Sequence, residues 1–186
     1  MARPIITPGQ ILIAEPFLEG DYFSRSVVGI TEHGKGGTMG FILNKPIRVK
    51  FKDLIPNITS DENYSVFKGG PVATDSLHFI HNVGDLLEDS IEIKNGLYMG
   101  GKFEKLIFLI NSGLILKENI RFYIGYSGWS EGQLSEEMKN GSWIVSDWHS
   151  NYTFKSKAHT LWTETLRHKG DHYSVIAQIP KNINSN

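Results

Sequence analysis

Nineteen glycines punctuate this chain of 186 residues, and they fall in clusters between short apolar runs. The clusters are Gly34, Gly36, Gly37 and Gly40, then Gly69 and Gly70, then Gly100 and Gly101, then Gly125, Gly128 and Gly132. Glycine supplies the turn conformations that side chains resist, so such spacing predicts many short strands joined tightly. Runs rich in Ile, Val, Leu and Phe supply the strands. They are Gln10–Ala14, Ser26–Thr31, Met39–Leu43, Tyr64–Lys68, Leu77–His81, Ile91–Ile93, Leu97–Met99, Ile120–Tyr126, Trp143–Ser146 and Ser174–Gln178. The second and third of these flank His33-Gly34-Lys35-Gly36-Gly37, which predicts a hairpin.

Helical spacing is rarer. Phe103, Leu106, Ile107 and Ile110 form a stripe over Lys102–Ser112, stopped by Gly113. Ser130-Glu131-Gly132-Gln133 has the form of a capping box opening a helix to Asn140. Ala158, Leu161, Trp162, Thr165 and Leu166 mark a third helix, Lys157–His168, with basic residues at its C-terminal end. A helical turn at Phe51–Ile55 ends before Pro56. Strands outnumber helices and do not alternate with them. The expectation is an α+β fold on a bent mixed or antiparallel sheet, not a doubly wound parallel one. No stretch reads as a linker, so residues 1–186 are expected to form a single domain.

Charge and cysteine narrow the function. Nineteen Lys and Arg against twenty Asp and Glu give a net charge of −1. The basic residues are scattered, which argues against specific duplex DNA binding. Without cysteine there is no disulfide framework, thiolate zinc site, iron–sulfur cluster or catalytic thiol. No apolar run reaches membrane-span length and the N-terminus lacks a signal-like hydrophobic stretch. A cytoplasmic protein without membrane contact is expected. The seven histidines form no ligand set of known spacing, so neither metal nor cofactor is expected.

The most distinctive segment is Gly125-Tyr126-Ser127-Gly128-Trp129-Ser130-Glu131-Gly132-Gln133, a strand running through glycines into a capped helix. It reads either as an anion site at a helix N-terminus or as a tight turn filled by a buried Trp129, with Gly132 letting a neighbour approach closely. Ser127 fits a nucleophile elbow only in part, because Trp129 stands where that motif needs glycine. Glu32-His33 offers a carboxylate beside an imidazole, although adjacent strand residues diverge. Asn44-Lys45-Pro46 suits loop tying or a polar pocket wall.

These segments together carry a resemblance. Phe23-Ser24-Arg25-Ser26-Val27-Val28, Gly40-Phe41-Ile42-Leu43-Asn44-Lys45-Pro46, Gly69-Gly70-Pro71-Val72 and Ile80-His81 occur in one order. Leu97-Tyr98-Met99-Gly100-Gly101 and Gly125-Tyr126-Ser127-Gly128-Trp129 follow, with Gln133, Glu137, Trp143 and Trp162. On these motifs the chain resembles the AlgH/YqgE family, bacterial proteins labelled as transcriptional regulators but with no established reaction. The resemblance implies a pseudo-barrel sheet with a few flanking helices. The chain departs from the family pattern at Lys45, where arginine is common, at Ser127, where alanine is common, and at Ser135, which replaces a usual glutamate. The expected function is a non-catalytic regulatory or binding protein contacting a protein or small molecule through Asn44, Lys45, His81, Tyr126, Ser127, Trp129, Gln133 and Glu137. The alternative is an enzyme with a site near Gly125–Gln133.

Overall fold

The computed structural model describes residues 5–180. Its strands are β1 (Gln10–Ala14), β2 (Val27–Gly34), β3 (Gly37–Ile42), β4 (Val66–Lys68), β5 (Val72–His81), β6 (Ile91–Lys94), β7 (Leu97–Met99), β8 (Ile120–Trp129) and β9 (Trp143–Asp147). The helices are α1 (Phe51–Leu54), α2 (Phe103–Asn111), α3 (Gln133–Lys139), α4 (Ser150–Phe154), α5 (Leu161–Lys169) and α6 (Asp171–Ile176). The strands make one mixed sheet in the order β6-β7-β5-β8-β3-β2-β1-β9, with β4 lying parallel to β8 and every other pair antiparallel.

Both faces of the β1–β2 region are buried, which is why Ile11-Leu12-Ile13-Ala14 is apolar at every position. Strand periodicity sends Ile11, Ile13 and Val27 into a core with Leu161, Trp162 and Leu166 of α5. Leu12, Ala14, Val28 and Ile30 point the other way, toward Trp129, Trp143 and Leu134 of α3. A third cluster, with Phe51, Tyr64, Leu106, Ile110 and Phe122, lies under α1 and α2.

The sheet bends at Gly125. Before it, β8 pairs with β4 and β5; after it, Tyr126 still faces Val72 of β5, and Ser127, Gly128 and Trp129 pair with Gly40, Met39 and Thr38. Gly125 takes φ +65°, and the Gly69–Gly70 segment crosses directly over it. A Cβ on Gly69 would stand 2.2 Å from the Gly125 carbonyl oxygen, and one on Gly70 2.2 Å from that of Tyr126. Only glycine permits that crossing.

The curled sheet stays open. Its end strands β6 and β9 share no ladder, but Lys94 Nζ lies 3.2 Å from Asp147 Oδ1. Gly9 sits beneath the Lys94 stem, where a Cβ would come within 2.5 Å of it. The pseudo-barrel is thus latched by side chains at one seam.

The structure departs from sequence expectation locally. Ser174–Gln178 is no strand: Asp171–Ile176 is helical, and its Tyr173 and Ile176, with Ala177 just after it, pack on the core. Ser150–Phe154 forms a short helix that its composition did not announce. The buried stripe of α2 is Leu106, Leu109 and Ile110, while Phe103 is exposed. The capping box is half made. Gln133 Oε1 accepts the Ser130 N–H at 3.0 Å, but no side chain caps α3, whose N-cap position is Gly132 with φ +78°. Nothing lies within 4 Å of a Cβ built on Gly132, so its glycine serves backbone conformation and not close approach.

Candidate functional site

A groove of about 910 Å³ opens at the rim where β1 and β9 stop. One wall is the upper β2–β3 hairpin, with Glu32, His33 and Met39; the other is Ile91–Ile93 of β6. Its floor is Tyr126 and Gly128 of β8, with Val72 and Trp129 at the ends. Met39 and Ile93 of the walls and Tyr126 of the floor pack against the β1–α5 core, so the groove is apolar at its base. His33 Nδ1 lies 2.8 Å from Thr38 Oγ1 across the hairpin. His33 also borders a second hollow of about 430 Å³ on the opposite face, beside Ile6, Leu134 and Met138.

Of the side chains singled out from sequence, Glu32, His33, Tyr126 and Trp129 line the groove, and Asn44, Lys45, His81, Ser127, Gln133 and Glu137 lie elsewhere. Asn44 ties the loop before β2: its Oδ1 accepts the Val27 N–H at 3.0 Å and its Nδ2 donates to Arg25 O at 2.9 Å. Lys45 Nζ donates to Ser24 O at 2.8 Å in the same loop. Ser127 is fully buried and its hydroxyl donates to Gly69 O at 3.0 Å, holding the glycine crossing. Glu137 accepts both indole N–H groups, from Trp129 at 2.9 Å and Trp143 at 2.7 Å, and a third bond from Gln133 Nε2 at 3.0 Å.

His81 is wholly buried. Its Nδ1 accepts the Val83 N–H at 3.3 Å, which leaves Nε2 to donate to Gly100 O at 2.9 Å. Burial pushes its pKa below the ordinary histidine value, and the bond to Gly100 opposes this in part. Tyr98 stacks on the ring at 5.8 Å. Burial likewise lowers the pKa of His78, which lies between Phe41 and Tyr126. Glu32, Glu137 and His81 therefore do not share a cavity. Among the described residues no three His, Asp or Glu side chains gather closely enough to hold a metal ion. No described helix is long and apolar enough to cross a membrane.

Sequence reasoning missed the β6 wall. Its signal was Ile91, an isoleucine 63% exposed on an edge strand.

A mixed, open pseudo-barrel bent across paired glycines, with a rim groove that is apolar at its base, defines an α+β class known from other chains. Residues 11–174 match the family model described as AlgH-like, and the protein belongs to that family. A UPF0301 protein of Cytophaga hutchinsonii is 41% identical over 178 residues, covering 95% of this chain and 97% of its own. One from Chlorobium limicola is 39% identical over 176 residues, covering 95% and 94%. Two solved structures share the fold. A Corynebacterium diphtheriae protein superposes with a TM-score of 0.80 at 23% identity, covering 96% of this chain and 95% of its own. The AlgH protein of Pseudomonas aeruginosa does so with 0.73 at 22%, covering 97% of both.

Proposed function

We propose that this AlgH-like protein is a non-catalytic binding protein of the cytoplasm, exerting a regulatory effect through a partner held in the rim groove. The observation that carries the reading is a contrast. The polar side chains from which a reaction centre would be built are bonded inward: Ser127 to Gly69, His81 to Gly100, Glu137 to two indoles. The rim groove is meanwhile backed by Met39, Tyr126 and Ile93 and open at its rim, as binding sites commonly are. Direct, sequence-specific DNA binding is not part of the proposal, since the groove carries Glu32 and Glu92 and no Lys or Arg lines it.

Amide NMR spectra during titration with a panel of small molecules and short peptides test the reading. Shifts concentrated at residues 31–39 and 126–130 are the expected result. Chemical turnover of a panel member that disappears in Ser127→Ala, or binding confined to other faces, would overturn it. Specific duplex DNA retention at physiological salt would also count against it.

A further inference from the structure

We propose that the groove accepts an extended basic peptide segment as an added β-strand, seated in the slot left where β1 and β9 end. This rests on the rim groove being the binding site and names its partner class.

The slot follows from two strand endings. The β1–β2 pairing finishes with Gly9 donating to Ile30 O. Pro8, next in line, has no N–H to continue it, and Ile6 already packs on the opposite face. β9 ends at Asp147, opposite Gln10. β2 nevertheless runs on through Thr31–Gly34, where β3 is its only strand partner among the described residues. Across the slot, β6 pairs only with β7 among the described residues. Lys94 pins one end of β6 at the seam, and Ile91–Ile93 continue along the groove. Two strand segments with unused edges thus border one cavity. Unused edges are the template for strand addition, in which backbone bonds supply affinity and alternate side chains supply choice.

Charge selects the occupant. Glu32 stands on one wall and Glu92 on the other, and no Lys or Arg lines the groove. An added strand alternates its side chains, so one set reaches Met39, Tyr126 and Ile93 while the other meets the carboxylate rim. The complementary sequence alternates apolar with basic residues. A small cation would satisfy the carboxylates and leave both edges unpaired, and a polyanion would be repelled.

The probe is a hexapeptide alternating valine with lysine. Its controls are the valine–glutamate counterpart and a form N-methylated at alternate amides, which retains charge but cannot pair on both sides. Anisotropy and amide NMR are read on the full chain. The lysine peptide should bind and shift the amides of His33, Gly34 and Ile91–Ile93. N-methylation, and separately Glu32→Lys combined with Glu92→Lys, should each weaken binding roughly tenfold or more. Both glutamates are exposed, and an unchanged spectrum away from the groove verifies the variant's fold.

Equal binding of the methylated and unmethylated peptides would overturn the proposal in favour of a charge-only contact. Failure of the lysine peptide, with panel molecules still shifting groove amides, would sink strand addition and leave the binding groove standing. If nothing shifts those amides, both readings fall. A doubling of mass with concentration, abolished by Glu32→Lys, would make the occupant a second copy of this chain and refute a peptide partner.

Discussion

Glu137 is a single carboxylate holding two tryptophans. Trp129 and Trp143 are 5% and 4% exposed, and both indole N–H groups donate to the same Glu137 oxygen. Glu137→Ala leaves both donors buried without acceptors. The expected loss is about 2–4 kcal/mol in urea unfolding, with Glu137→Gln costing less because its amide oxygen still accepts. A loss below experimental error in Glu137→Ala would contradict the clamp. His81 carries a pH dependence whose sign is set by burial. Its folded pKa lies below the ordinary value near 6.5, so the unfolded chain binds its proton first as pH falls. Stability should therefore be full above pH ~6.5 and decline on acidification toward the folded pKa, by at most about 1.4 kcal/mol per pH unit for one proton. His81→Gln should flatten that slope below about pH 6.5 whatever its effect on absolute stability. His78 adds to the slope in the same direction and remains in the variant. An unflattened slope would assign the acid sensitivity elsewhere.

β8 shows what a strand can and cannot announce in sequence. Its apolar run is legible from Ile120, and a large aromatic on a glycine turn already marks Trp129 as a core residue, which it is. The glycines after Tyr123 and Ile124 read as a turn, yet Gly125 is a bend inside a strand that continues for four more residues. What decides between them is the Gly69–Gly70 crossing, more than 50 residues away in the chain and invisible to local spacing. The same limit explains the C-terminal miss. Val175 and Ala177 alternate like a strand, but Tyr173, Ile176 and Ala177 make the helical stripe that finds the core, and six residues cannot separate the two periods. The groove is half legible: Tyr126 and Trp129 stand out in the sequence, while the β6 wall depends on the sheet curling back on itself. A paired substitution separates conformation from contact. Gly132→Ala meets open space and should cost only about 1 kcal/mol for its left-handed backbone. Gly125→Ala adds a Cβ 2.8 Å from the carbonyl oxygens of Gly70 and Val72, and should cost about 3 kcal/mol or more. Equal midpoints in chemical denaturation would remove the crossing as the reason for glycine at position 125.

At the scale of the molecule, the latch between β6 and β9 is weak because its chemistry is exposed. Lys94 and Asp147 have side chains 40% and 69% exposed, so Lys94→Ala should change global stability by less than about 1 kcal/mol. Opening is instead read locally. Amides of the edge strand β6 should exchange with solvent faster than those of β8, which is flanked on both sides, and Lys94→Ala should widen that gap. Uniform protection across the sheet would show the seam to be stronger than its contacts. The pairing of β1 with β9 has a consequence for how the chain is made. β1 leaves the ribosome ahead of both strands it pairs with, with Ile11, Leu12 and Ile13 destined for complete burial. Its outer edge waits for Trp143–Asp147, and the Ala14 carbonyl waits further for the Trp162 indole. Roughly 130 residues must be translated in between, which at about 5–20 residues per second is on the order of ten seconds. Throughout that interval the nascent chain displays a sticky, half-dressed strand, so a stall before Trp143 exposes to the cell a segment that the finished protein hides completely.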